Sequence, residues 1–186
     1  MPVGLILIDI QNDYFPHGRM ELEGSEQAGR AAGRLLGFFR ERGLPVFHIR
    51  HISVHQGAAF FLPGSAGAEF HRSVRPLDGE TVIQKHFPNS FRETGLLRHL
   101  QGEGIQKLVV AGMMTHMCVD ATARAAADYG YPLLIAHDAC AARSLNFGGR
   151  TVSATDVQTS FLAALNGMYG KVLSADEIRI ELEKRL

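Results

Sequence analysis

Val3-Gly4-Leu5-Ile6-Leu7-Ile8-Asp9 is an almost continuous apolar run, mostly of branched residues, that ends on a carboxylate. It does not alternate apolar with polar residues, and a strand buried on both faces of a parallel sheet has that pattern. The same signature returns at Leu44 to Ile49, Thr81 to Gln84, Lys107 to Ala111 and Pro132 to Ala136, with a weaker copy at Lys171 to Leu173. Helical patterns fill most of the intervals. Ala28, Ala32, Leu35, Leu36 and Phe39 share one helical face, which Gly43 closes. The alanine-rich segment Thr115 to Tyr129 repeats Val119, Thr122, Ala123, Ala126 and Ala127 at helical spacing before Gly130. Further helices are predicted from Glu93 to Leu100, around Thr155 to Leu165, and from Ala175 to the end. Alternating strands and helices predict an α/β fold, a three-layer α-β-α sandwich whose mostly parallel, doubly wound, Rossmann-like sheet has about six strands. A single domain over residues 1–186 is expected.

Composition narrows the function classes. Lysine plus arginine equals aspartate plus glutamate at 19 each, so no global field favours nucleic acid or an anionic membrane, and a small-molecule partner is expected. The apolar opening, lacking a basic leader and interrupted by Asp9, reads as a first strand instead of a signal peptide. No apolar stretch reaches the ~20 residues of a membrane span. Two cysteines, Cys118 and Cys140, are too few for a disulfide framework and fit a reducing, cytoplasmic setting. The segment from Ser53 to Glu80, rich in glycine, proline and aromatics, reads as a long ordered loop of the kind that serves a site.

In an open α/β sheet the ligand sits beyond the carboxyl ends of the strands. Asp9 follows the first strand, Lys85 the third, and Cys118 lies shortly after the fourth, across Gly112-Met113-Met114-Thr115. In isolation each has a bland reading: a strand-end cap for Asp9, a solvated surface lysine for Lys85, an inert core thiol for Cys118. Together they supply a proton carrier, a charge stabiliser and a nucleophile on one edge. If a helix begins near Thr115, Cys118 occupies its first turn. Free backbone N–H groups there favour a thiolate and could hold an oxyanion. An activated Cys118 should then alkylate well below the ~8.5 of a free thiol.

At these positions the chain resembles the isochorismatase-like superfamily of cysteine hydrolases, which includes nicotinamidases, carbamoylsarcosine-type amidases and ureidoacrylate-type amidohydrolases. The resemblance rests on Asp9-Ile10-Gln11-Asn12-Asp13-Tyr14-Phe15, on Lys85 followed by Asn89-Ser90-Phe91, on Gly112-Met113-Met114-Thr115-His116-Met117-Cys118-Val119, and on Asp138-Ala139. It implies a catalytic triad of Asp9, Lys85 and Cys118 and a cis peptide between Met113 and Met114. It further implies an oxyanion hole from the backbone N–H groups of Met114 and Cys118. The reaction so implied is cleavage of an amide-type C–N bond of a small molecule through a thioester. The family's habit implies a homodimer or homotetramer.

Gln11, Phe15, Phe60, Phe91 and His116 are the candidate substrate-binding residues, chosen for their place in or near these motifs. His116 is two residues from Cys118, a spacing at which helical side chains do not face each other. His48, His51 and His55 invite a metal reading, and nicotinamidase-like relatives carry an aspartate–histidine metal site after the second strand. Here no acidic residue occurs between Glu41 and Glu69, and Arg50 intrudes, so neither a metal nor another cofactor is expected. Cys140 reads as packed, Gly148-Gly149 as a turn, and Arg50 and Arg75 as ordinary structural or surface arginines. The rival functions are an isochorismatase-type ether hydrolase, which has no need of the cysteine, a catalytically idle binding module, and a flavodoxin-like electron carrier.

Overall fold

A computed structural model describes residues 2–184, and the two residues that would end the predicted C-terminal helix lie outside that range. Six strands form one sheet: β1 (Val3–Ile8), β2 (Val46–His51), β3 (Thr81–Lys85), β4 (Lys107–Met113), β5 (Leu133–Ala141) and, last in the chain, a short strand at Lys171–Leu173. From edge to edge the order is β3, β2, β1, β4, β5 and the Lys171–Leu173 strand, and every pairing is parallel. All six residues of β1 are buried, in keeping with its unbroken apolar sequence. Between β5 and the last sheet strand, a small antiparallel hairpin of β6 (Leu145–Phe147) and β7 (Arg150–Val152) turns at Gly148-Gly149; the sheet's sixth strand is therefore β8 (Lys171–Leu173). The hairpin strands were not predicted, because three mostly exposed residues a side carry no apolar pattern.

Helices cover both faces. On one face α1 (Ser25–Glu41) and the C-terminal α5 (Ala175–Glu183) pack Ala32, Leu35, Phe39, Ile178 and Leu182 against Leu5, Leu7 and Val109. On the other, α2 (Leu96–Gly102), α3 (Asp120–Asp128) and α4 (Ala154–Leu165) contribute Leu96, Leu100, Ala123, Ala126 and Leu165 against Ile6, Ile8, Leu108 and Val110. The parity of β1 thus divides its side chains between two cores, as strand geometry requires.

Several boundaries differ from the expected ones for local reasons. Strand β2 starts at Val46, after Pro45, whose carbonyl still accepts the Leu5 N–H, and it runs on to His51. Helix α2 begins at Leu96 instead of Glu93; Glu93 has φ of +55°, and the Thr94 hydroxyl accepts the Leu96 N–H. Strand β5 continues past a register jump, from Val110 opposite Ile135 to Gly112 opposite Cys140. That bulge places Asp138 Oδ1 2.7 Å from the Ala175 N–H at the start of α5. Gly112 itself has φ of +146°, and a Cβ there would run into the Ile8 carbonyl, so only glycine fits between β1 and β4. Among the described residues no helix is long and apolar enough to cross a membrane.

Candidate active site

The strand order reverses direction between β1 and β4: the chain steps outward from β1 to β2 and β3, then returns to place β4 on β1's other side. Such a switch point opens a crevice at the carboxyl ends of the strands. Asp9 stands at the end of β1 and Cys118 beyond the end of β4, so the crevice is flanked by both. Lys85 ends β3, two strands away, about 10 Å at ordinary strand spacing. A long side chain is needed to span that gap, and the Lys85 ammonium does so, ending 2.8 Å from Asp9 Oδ2.

Asp9 and Lys85 are essentially without solvent exposure and Cys118 is 4% exposed. The Lys85 ammonium has three hydrogens and three neighbours for them: Asp9, the Pro88 carbonyl at 2.8 Å, and the Cys118 sulfur. Burial by itself would lower the Lys85 pKa, but the Asp9 carboxylate, together with the hydrogen bonds to Asp9 and Cys118, outweighs it and raises it, so the ammonium is favoured. Cys118 shifts the other way from the sequence expectation. Burial pushes its thiol upward, the Asp9 carboxylate adds to that, and Lys85 only partly opposes them. The direction favours the thiol over the thiolate in the resting site, opposite to the lowered pKa expected from a helix start.

The segment that delivers Cys118 is not the plain helix start that its alanine-rich sequence suggests. Thr115–Val119 form a π-helical turn, with the Met114 carbonyl accepting the Val119 N–H at 3.2 Å and the Met117 N–H at 3.0 Å, before α3 takes over at Asp120. Single π turns of this kind insert a residue and re-aim the side chains around it. The Met113–Met114 peptide bond is cis. Asp9 has φ of +51°, a left-handed conformation unusual for a non-glycine residue and common at functional strand ends.

The candidate pocket residues scatter. Gln11 is fully buried, and its side chain is occupied by backbone: Nε2 donates to the His51 and Ala68 carbonyls at 2.9 and 2.8 Å, and Oε1 accepts the His51 N–H at 2.8 Å. It clamps the long loop onto β2, with both amide hydrogens used. Phe15 stacks on His71 with ring centroids 3.5 Å apart and backs onto Gly29 of α1. Phe60 leans on Tyr14 and Phe61, Phe91 lies against Tyr129, and His116 meets the Phe161 ring edge-on. The His116 pKa is lowered by burial and then by the charge of Arg143.

Two further residues stand beside Asp9, Lys85 and Cys118: Tyr14, and His51, which the sequence suggested only as part of a histidine metal group. Tyr14 is buried, and its hydroxyl pKa is raised by burial first and then by Cys118 and Asp9. His51 ends β2 in register with Lys85 and sets Nδ1 4.0 Å from Asp9 Oδ2. Its pKa is lowered by burial, with Asp9 opposing, so a neutral imidazole faces the acid. The signal for its place beside Asp9 is positional: His51 ends β2 and follows the same strand-end rule that singled out Asp9 and Lys85.

The three histidines near β2 do not make a metal centre of their own. His48 points to the opposite side and holds Glu80 through Nε2 at 2.8 Å, while His55 is exposed. An aspartate–histidine site of the nicotinamidase kind therefore does not fit these residues.

Comparison with known proteins identifies the family. The isochorismatase domain family matches residues 3–177. The chain belongs to the isochorismatase family, a family of hydrolases. An isochorismatase family protein of Bacillus subtilis (strain 168), YddQ, is 50% identical over 176 residues, covering 95% of this chain and 98% of its own. The crystal structure of an isochorismatase hydrolase from Oleispira antarctica superposes with a TM-score of 0.93 at 48% identity, covering 96% of each chain. N-carbamoylsarcosine amidase from Thermoplasma acidophilum superposes with a TM-score of 0.82 at 25% identity, covering 95% of this chain and 98% of its own. Proteins named streptothricin hydrolase and maleamate amidohydrolase are also relatives of this isochorismatase-family chain.

Proposed function

We propose that this isochorismatase-family chain is a thiol-dependent amidohydrolase that cleaves an amide-type C–N bond of a small molecule. The observation that carries the reading is the buried cluster of one acid, one cation and one thiol at the sheet's switch point. Relatives named as amidases and amidohydrolases support it.

In this mechanism Asp9 takes the proton from the Cys118 thiol as the sulfur attacks the substrate carbonyl carbon. Lys85 remains an ammonium and stabilises the thiolate as it forms. Transfer within the cluster moves one negative charge from Asp9 to Cys118, both beside Lys85, so no net charge has to be buried at that moment. The backbone N–H groups of Met114 and Cys118 receive the oxyanion. The C–N bond then breaks while Asp9 returns the proton to the leaving nitrogen. Water, deprotonated by Asp9, cleaves the thioester, and the carboxyl product departs as the proton passes back to sulfur. The raised thiol pKa suits this scheme, since a free thiolate would leave Asp9 nothing to accept.

The same reading places the chain in a reducing, cytoplasmic compartment, where Cys118 and Cys140 remain free thiols, as one hydrolase domain assembled into a homodimer or homotetramer with no cofactor. The test is ammonia release from a panel of small primary amides, carbamoyl and ureido compounds, comparing native protein with Cys118→Ala. Release by the native protein alone is expected, with turnover in the variant reduced about a thousandfold or more. A variant that kept its rate would remove the cysteine from the mechanism.

A further inference from the structure

Among the described residues, one group of three metal-ligating side chains converges: Asp9, His51 and Cys118 offer a carboxylate oxygen, an imidazole nitrogen and a sulfur that all lie within 4.8 Å of one another. The set mixes donor types in the way soft divalent ions prefer, with thiolate and imidazole joined by a single hard oxygen. In a tetrahedral zinc site the ligand atoms are about 3.3–3.7 Å apart, so each would have to move by about 1 Å or less. A second observation points the same way. Asp9 is wholly buried, yet its Oδ1 has no hydrogen-bond partner. A carboxylate oxygen kept from water in that state has an acceptor site that a cation would fill.

We propose that Asp9, His51 and Cys118 form a latent binding site for a soft divalent cation of the Zn²⁺ or Cd²⁺ class, and that occupancy of this site silences the triad. Binding forms metal–sulfur, metal–nitrogen and metal–oxygen bonds, and the Cys118 proton leaves to solvent; no electron changes hands. The fourth position is left to water. The captured ion blocks the sulfur from attacking and removes Asp9 as proton acceptor in a single event, so one bound ion is enough to silence a chain.

Lys85 sets the limit on affinity. Its ammonium lies 2.8 Å from Asp9 Oδ2 and repels an incoming dication, which makes the site one for occasional capture and not for a resident cofactor. This site is also distinct from any grouping of His48, His51 and His55, because two of its three ligands are members of the triad.

The experiment titrates metal-free native protein with CdCl₂ and reads the near-ultraviolet thiolate-to-cadmium absorbance, a measurement independent of any substrate. The band is expected to saturate with an amplitude of one cadmium bound per chain, to vanish in Cys118→Ser, and to require at least tenfold more cadmium in His51→Ala. Melting curves verify that each variant is folded, and His51→Asn serves if the alanine variant is not. No band in the native protein would overturn the proposal. So would a band that survives Cys118→Ser, which would assign it to Cys140, or a His51 variant with unchanged affinity. Failure of the amide panel with a positive cadmium titration would count against the proposed activity and leave the metal site standing.

Discussion

The two ends of β3 carry two charge clusters of opposite character, one half-buried and one buried. Just before its first residue, the Glu80 carboxylate is saturated: the Arg40 guanidinium donates at 2.7 and 2.8 Å, the Leu77 N–H at 2.8 Å, and His48 Nε2 lies at 2.8 Å. A carboxylate only accepts, so Nε2 carries the His48 hydrogen. Its last residue, Lys85, faces Asp9, whose Oδ1 has no hydrogen-bond partner. Saturation lowers the Glu80 pKa to about 2, chiefly through the Arg40 hydrogen bonds, and leaves a group with nothing further to do. The other acid keeps acceptor capacity beside a protonated thiol. The cluster at the start of β3 uses up its hydrogen-bonding sites, and the one at its end, to which the proposed chemistry is assigned, leaves some open.

Substitutions at the two ends should therefore separate turnover from stability. The largest expected effect is at the open cluster: Lys85→Met should lower turnover by about a thousandfold, because the thiolate and the tetrahedral intermediate lose their counter-charge. An equal loss from Glu80→Gln would erase the distinction between the clusters. Glu80→Gln should instead cost about 1–2 kcal/mol of unfolding free energy, measured by denaturant melts, with kcat/KM nearly unchanged. The same cluster sets an acid limit. The folded Glu80 value lies below the unfolded value of about 4.3, so its contribution is complete above that pH and is lost as the pH falls toward about 2. His48, with its pKa lowered by burial, adds in the same direction, since the unfolded chain protonates first below about 6.5. A stability–pH curve of Glu80→Gln that kept the full acid slope would contradict this.

A sharper test concerns the thiol. Native Cys118 should alkylate with iodoacetamide only as the pH climbs past the ~8.5 of a free cysteine, and Asp9→Asn should shift that profile downward, since it removes a charge that raises the thiol pKa and leaves Lys85 to lower it. A profile that moves upward would reverse the proposed roles of the two neighbours. The smallest effect is expected at Gln11→Ala, about 1–3 kcal/mol of stability from the lost loop clamp. A change confined to KM, with the melting curve unmoved, would restore Gln11 to the substrate pocket.

Local patterns made much of this legible in advance. Val3–Ile8 and Lys171–Leu173 match their predicted spans, and Asp9, Lys85 and Cys118 meet where the strand-end rule puts them. The π turn at Thr115–Val119 was hidden because its composition is that of an ordinary helix start. Gln11, inside a motif beside Asp9, looks the same in sequence whether its amide faces a ligand or a loop; the loop it grips lies 57 residues away at Ala68.

The sequence by itself determined the parallel α/β architecture and the edge on which the reactive residues lie, because apolar periodicity and strand ends are properties of neighbouring residues. Only the tertiary structure decided that burial pushes the Cys118 thiol pKa up, that His51 stands beside Asp9, and that Glu80 is saturated while Asp9 is not. Burial and electrostatic coupling depend on which distant segments meet and how completely they exclude water, and no local pattern carries that information.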